Sequence, residues 1–235
     1  GMIRRRDFPE EAVHAAMAAH REALTGKGPA RLLKQDGAVS VSRGEGNCVK
    51  ASPRARRSWI GANALWERDC ATAKPLAWVR DGGECFLITE DLSPTGLEMD
   101  RWLAERWEGL TPSARRRFLA DLATAFRKLG ERGGWPADAK ACNLFVREKD
   151  GGFEFPLVDT DGVRQKRPST AKMARTLAQL HLSTPRRVGR LARARFLKNL
   201  TGKAWKDYAR LVLKMTRGRG ILFQSEAGDV EEAQP

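Results

Sequence analysis

The chain is short of the residues that most metal and redox sites need. It has three histidines, His14, His20 and His181, too dispersed for a metal cluster, and four cysteines with no C-x-x-C pair. Cys48, Cys70, Cys85 and Cys142 have no histidine partner at metal spacing, so they read as reduced core thiols of a cytoplasmic protein. No apolar run approaches the roughly 20 residues needed to span a bilayer. The start places Arg4, Arg5 and Arg6 directly before Asp7, Pro9, Glu10 and Glu11, without the apolar centre of a secretory signal, and Gly1 before Met2 reads as a cloning scar. A G-x-G-x-x-G loop is missing too. Tyr208 is the only tyrosine, and most Trp and Phe fall in apolar-periodic segments rather than among basic residues, which weighs against a base-stacking nucleic-acid surface.

What is present is charge. The 235 residues are 41% hydrophobic and 31% charged, which describes a globular protein with room for one large domain or two small lobes. The formal charge of +14 calls for an anionic partner: nucleic acid, anionic lipid headgroups or a phosphorylated glycolipid. Basic clusters recur at Arg54, Arg56 and Arg57, at 115–117, at Lys166 and Arg167, and along 186–195.

The most informative stretch is 135–161. Asp138, Lys140 and Asn143 stand in a D-x-K-x-x-N spacing, followed by an apolar run at 155–158 that ends on Asp159. That is a phosphoryl-transfer pattern. In kinase chemistry the first Asp receives the proton of the attacking hydroxyl and the Lys neutralises the transferred group. The Asn and the later Asp then hold magnesium against the nucleotide phosphates. Helical spacing of Phe118, Leu122, Ala125, Phe126 and Leu129 precedes the loop, opened by Thr111, Pro112 and Ser113 and closed by Gly133 and Gly134. After it, 144–146 and 155–158 flank a turn at Asp150, Gly151 and Gly152 and read as a hairpin. The plainer alternative is a polar loop between helix and hairpin, with Asp159 as a turn residue.

Upstream, a helix is expected over 7–24, then strands at 30–34, 38–41 and 47–50, with Gly37 in the first turn. In a kinase that turn lies over the nucleotide phosphates, and the third strand carries a lysine for the alpha and beta phosphates, here Lys50. A helix at 53–69 packs behind the sheet. Runs at 76–79 and 85–89 around Asp81, Gly82 and Gly83 form a hairpin. Residues 90–92 make the hinge, where the backbone of Glu90 and Leu92 meets adenine. Helices are expected at 101–107, from Ser169 through Leu180, and at 191–213. The organisation is α+β: a bilobal protein-kinase-like fold with a small antiparallel sheet N-lobe (1–89), a mainly helical C-lobe (90–225) and an acidic, frayed tail (226–235).

At this point the residues resemble a family, the lipopolysaccharide core kinases (Kdo/WaaP), relatives of protein kinases. The stretches that carry the resemblance are ADAKACNLFV (137–146), LVDTDGVR (157–164), LLKQDGAVSV (32–41), LITEDL (87–92) and LAQLHLS (177–183). The resemblance implies ATP with magnesium and transfer of the gamma-phosphate to a sugar hydroxyl of the lipid A inner core. The setting implied is the cytoplasmic face of the inner membrane, with peripheral contact to an anionic surface. It puts the base on Asp138, the phosphate-facing lysine on Lys140, metal ligands on Asn143 and Asp159, and the nucleotide lysine on Lys50. Two positions depart from the family pattern. Pro136 stands where a histidine is usual, and Ser58, between Arg57 and Trp59, stands where a helix glutamate normally positions the lysine. Glu67, on the same helix, lies more than two turns further on.

Three readings follow: an ATP-dependent lipopolysaccharide sugar kinase, a pseudokinase that scaffolds or regulates, and a basic protein that binds RNA or a membrane surface.

Overall fold

The structure is a computed structural model that describes residues 1–219, 221–224 and 230–233. Its first lobe is built on a six-stranded antiparallel sheet in the order β1-β5-β6-β4-β3-β2. The strands are β1 (Met2–Arg4), β2 (Arg31–Asp36), β3 (Val39–Arg43), β4 (Asn47–Ala51), β5 (Pro75–Asp81) and β6 (Glu84–Glu90). Five of these match the expected runs. The sixth, β1, pairs with β5 from Met2↔Val79 to Arg4↔Ala77 and was not anticipated, because three residues are too short to show a period.

Helix α1 (Glu10–Leu24) lays Val13, Ala16 and Met17 against Val49, Ala77, Phe86 and Ile88 of the sheet. Its fully buried His20 is tied to β3, Nδ1 to Ser42 Oγ at 2.6 Å and Nε2 to Ser40 Oγ at 2.9 Å. Burial pushes this ring below the usual histidine range, so a neutral imidazole serves as a structural pin. Helix α2 (Ala55–Glu67) starts beside the same sheet but ends in the other lobe, where Leu65 belongs to the C-lobe core.

The second lobe holds β7 (Leu97–Glu98), α3 (Met99–Arg106), α4 (Pro112–Glu131), β8 (Trp135–Pro136), β9 (Phe145–Lys149), β10 (Gly152–Glu154), β11 (Val163–Arg164), α5 (Thr170–Ser183), α6 (Arg190–Thr201) and α7 (Trp205–Thr216). Helix α4 starts where the sequence said it should. Thr111 Oγ1 accepts the Ala114 N–H at 3.2 Å, and Pro112 sits in the first turn, where no N–H is required. Phe118 on its inner face stacks on Trp102 at 5.0 Å and meets Trp107, Phe153 and Phe155 edge to face. Such pairs are worth about 0.5–1.5 kcal/mol each beyond area burial. The aromatics missing from the basic surface are therefore largely spent on this core.

Two expectations need correction. The run 155–158 is not a hairpin strand: β9 turns at Asp150 and Gly151 into β10, and the chain then leaves the ladder with lone bridges from Leu157 to Leu144 and Thr72. The single helix at 191–213 is two, because Gly202 (φ +59°) breaks it between α6 and α7. At the chain end Ile221–Gln224 pairs with Val230–Ala233. The rest of the expected tail, 226–229 and 234–235, lies outside the described residues.

Candidate active site

Two short segments face each other on the C-lobe, and the backbone fastens them together at both ends. At one end β8 pairs with β11 and the Ala137 N–H donates to Gly162 O at 3.1 Å. At the other, the Val158 N–H donates to Asn143 O at 3.0 Å beside the Leu144↔Leu157 bridge. Asp138, Lys140 and Asn143 lie on one segment and Asp159 on the other. Gly162 permits this approach, since a Cβ there would lie 3.1 Å from Ala137 Cβ.

Helix α5 holds the first segment from below. Thr176 Oγ1 donates to Pro136 O at 2.9 Å while accepting from Trp135 Nε1 at 3.0 Å. Ser183 Oγ accepts the Ala141 N–H at 2.7 Å. Between them Gln179, with its amide nitrogen turned to the loop, donates to Ala137 O at 2.9 Å and to Asp138 Oδ1 at 3.3 Å. Lys140 Nζ stands 3.3 Å from the other oxygen, Asp138 Oδ2. The carboxylate is thus oriented from two sides, and the loop backbone at Pro136 is held without a histidine.

Gln179 lies within the LAQLHLS stretch (177–183), whose sequence alone assigns it no role. The available signal was polar residues at positions 176, 179 and 183 on one face of α5, where Thr176 and Ser183 are buried. Replacing Gln179 by Leu should lower turnover about tenfold, the effect of one lost hydrogen bond to a charged group. Nucleotide affinity should be unchanged, and steady-state kinetics with a parallel binding titration reads both.

Between the lobes lies a cleft of about 720 Å³, within the range of small-molecule sites. Lys50, Asn143, Asp159, Glu90 and Leu92 all line it, as do Leu32, Val39, Val41 and Leu87 from the sheet. Lys50 Nζ meets Asp159 Oδ1 at 3.0 Å. At the hinge the Glu90 N–H is used by Lys74 O and the Asp91 N–H by Gly46 O. The Asp91 carboxylate accepts from the Ser93 N–H and Oγ, and Arg43 stands 3.4 Å from Asp91 and 3.9 Å from Glu98, joining sheet to hinge and C-lobe. Gly37 is at the tip of the β2–β3 turn with φ +54° and open space around it; its neighbours Asp36 and Val39 line the cleft, whereas Gly37 does not.

No group of three or more His, Cys, Asp or Glu among the described residues could hold a metal ion alone. One carboxylate and one amide in the cleft, Asp159 and Asn143, suit magnesium, which is commonly held by one or two protein groups with substrate phosphates completing its shell. The residues therefore fit a magnesium nucleotide.

Burial shifts two thiols and one carboxyl near the cleft. The Cys48 and Cys142 thiols in the cleft wall are pushed up to about 12 and about 11, chiefly by burial, and stay protonated and unreactive. Asp100, in the first turn of α3, is 5% exposed, and its Oδ1 has no hydrogen-bond partner. Burial, with the Glu98 charge adding to it, pushes this carboxyl up to about 6. An unfolded Asp titrates near 3.9. Between those values the folded chain keeps a proton that the unfolded chain has lost, so this group's contribution to stability falls as pH rises from about 4 to about 6. Asp100→Asn should therefore stabilise the protein at pH 7.5 by on the order of 2 kcal/mol and much less at pH 4, as read from denaturant midpoints.

The basic run 186–195 is not uniformly available to an anion. Arg193 turns inward and donates to the carbonyls of His181, Thr184, Pro185 and Val188, capping the C-terminal end of α5. Burial and the adjacent Arg193 charge push the His181 ring down to about 4, so it is neutral at physiological pH.

The profile of the "Lipopolysaccharide kinase (Kdo/WaaP) family" matches residues 51–212, beginning one residue past Lys50. A search of curated proteins gives no match. Among solved structures, "WaaP in complex with acyl carrier protein" superposes with a TM-score of 0.72 at 19% identity, covering 92% of this chain and 97% of that one. The PknI kinase domain of Mycobacterium tuberculosis gives a TM-score of 0.41 at 13% identity, over 78% of this chain and 94% of that one. The chain belongs to the lipopolysaccharide kinase (Kdo/WaaP) family, and its fold is protein-kinase-like.

Proposed function

We propose that this protein transfers the gamma-phosphate of ATP to a sugar hydroxyl, on Kdo or heptose, of the lipopolysaccharide inner core. The observation that carries the reading is the double backbone tie between the Asp138–Asn143 loop and the segment of Asp159. It ties the loop that carries Asp138 to the segment of Asp159; Asn143 and Asp159 line the cleft, while Asp138 and Lys140 stand on the same loop outside its lining. Fixed charges at fixed places are most of what phosphoryl transfer requires.

In this reading Asp138 takes the acceptor hydroxyl's proton, held for that by Gln179 and Lys140. Lys140, whose side chain is half exposed, turns toward the transferred phosphoryl. Lys50 meets the alpha and beta phosphates, and the backbone at Glu90 and Leu92 meets the adenine. Asp159 and Asn143 would hold magnesium, which when bound offsets charge on the beta and gamma phosphates. The charge of +14 suits an anionic glycolipid and the anionic inner face of the inner membrane. No helix among the described residues is long and apolar enough to cross a membrane, so contact there would be peripheral. WaaP has been solved with acyl carrier protein, which makes such a protein a partner to test by co-purification.

A second reading keeps the fold and weakens the chemistry: Ser58 leaves α2 without the carboxylate that usually positions the lysine, as in a regulatory pseudokinase. Labelled ATP incubated with extracted inner-core glycolipid separates the two. Magnesium-dependent transfer of label supports the kinase. ATP binding without transfer to any glycolipid supports the pseudokinase, and no binding of ATP with magnesium removes both.

A further inference from the structure

Ser58 is buried, and its hydroxyl turns back to Arg54 O on its own helix, at 3.4 Å, so it offers Lys50 nothing. Another contact joins α2 to the Asp159 segment. Thr160, the next residue and 2% exposed, donates from Oγ1 to Ser58 O at 2.7 Å, across 102 residues of sequence. One turn along α2, the backbone at Gly61 lies directly on Thr160: a Cβ there would fall 2.1 Å from Thr160 O. Glycine inside a helix is unfavourable by about 1 kcal/mol relative to alanine, and here close approach of two backbones is the reason for it. The contact continues down the helix. Leu65 packs in the C-lobe core, and Asp69 just beyond α2 pairs with Lys128 at 2.8 Å and Arg132 at 3.1 Å on α4 and at its C-terminal end.

We propose that Thr160 and Gly61 are the positioning residues that replace the absent helix glutamate. They clamp α2 onto the residue following Asp159, so that the Asp159 carboxylate is placed by backbone contact and in turn places Lys50. Where a glutamate on this helix does the positioning, moving the helix breaks the pair and switches the site off. Here the helix is bolted to the metal-side segment, and the lysine takes its partner from Asp159 at 3.0 Å instead. Arg54, 3.6 Å from Asp161 and largely exposed, adds little. This deepens the proposed kinase reading and rests on it.

The test compares Thr160→Val, which keeps the shape and loses the donor, with Thr160→Ser, which keeps the donor. ADP affinity is titrated with magnesium and with EDTA, alongside turnover and the unfolding midpoint. Thr160→Val should weaken ADP binding about tenfold with magnesium, the size of one buried hydrogen bond, and by a smaller factor in EDTA, where Lys50 meets the phosphates without the metal. Thr160→Ser should return to within about twofold of the unaltered protein. Gly61→Ala, which forces the helix off the Thr160 carbonyl, should reproduce the Thr160→Val signature and stands in for it should that variant fold poorly. If the unaltered protein binds ADP with magnesium and either Thr160→Val or Gly61→Ala, whichever folds, binds equally well, the clamp is wrong and the kinase reading survives. A Thr160→Ser variant as defective as Thr160→Val also overturns the clamp. If the unaltered protein shows no magnesium-dependent binding, both fall together.

Discussion

Asp138→Asn should fold, bind nucleotide with magnesium and transfer phosphate about 10²–10⁴-fold more slowly, the range for loss of a positioned general base. The amide keeps an oxygen for Gln179 at nearly the same place, so the loop should hold its shape. What is lost is the ability to take a proton and the pairing with Lys140, which at 3.3 Å and half exposed contributes little to stability. Single-turnover rates and an unfolding midpoint measured together separate chemistry from folding. Turnover within threefold of the unaltered protein would mean that Asp138 is not the base.

Asp159→Asn should act differently, because its carboxylate has two duties. It is the charged metal-ligand candidate in the cleft, and it is the partner of Lys50. Turnover should fall by about 10³-fold, as when one preorganised electrostatic contact to a transferring group is removed. Unlike Asp138→Asn, it should also erase the magnesium-dependent part of nucleotide binding. The lysine would be left in the cleft wall without its carboxylate. Adding Lys50→Met to Asp159→Asn should therefore recover part of the stability that the single change loses, a coupling measurable by a double-mutant cycle. Unchanged magnesium dependence in Asp159→Asn is the result that would remove this residue from the metal site.

The contrast between these variants follows what could be read from the chain and what could not. Asp138, Lys140, Asn143 and Asp159 stand within 22 residues, and the residue types and spacing suffice to nominate them. Lys50 and the hinge at Glu90 and Leu92 were nominated by order along a sheet whose turns at Gly37 and Gly82 are explicit in the sequence. Gln179, Thr160 and Gly61 were not. Each is an ordinary residue in its own segment, and its importance comes from an atom far along the chain: Asp138 for Gln179, Ser58 O for Thr160, Thr160 O for Gly61. Arg193 belongs to the basic run 186–195 in sequence and is an internal cap in the fold.

By itself the sequence determined the periodic elements, the two-lobed order, the family and the charged groups that phosphoryl transfer would use, because apolar period, turn residues and motif spacing are local properties. Only the tertiary structure decided that Lys50 answers to Asp159 rather than to a helix carboxylate, that the loop around Pro136 hangs on α5, and that α2 is held down by a threonine and a bare glycine. Hydrogen bonds and van der Waals contact act over a few ångströms of space and are indifferent to separation along the chain, so contacts that close a site from distant segments leave no spacing to read.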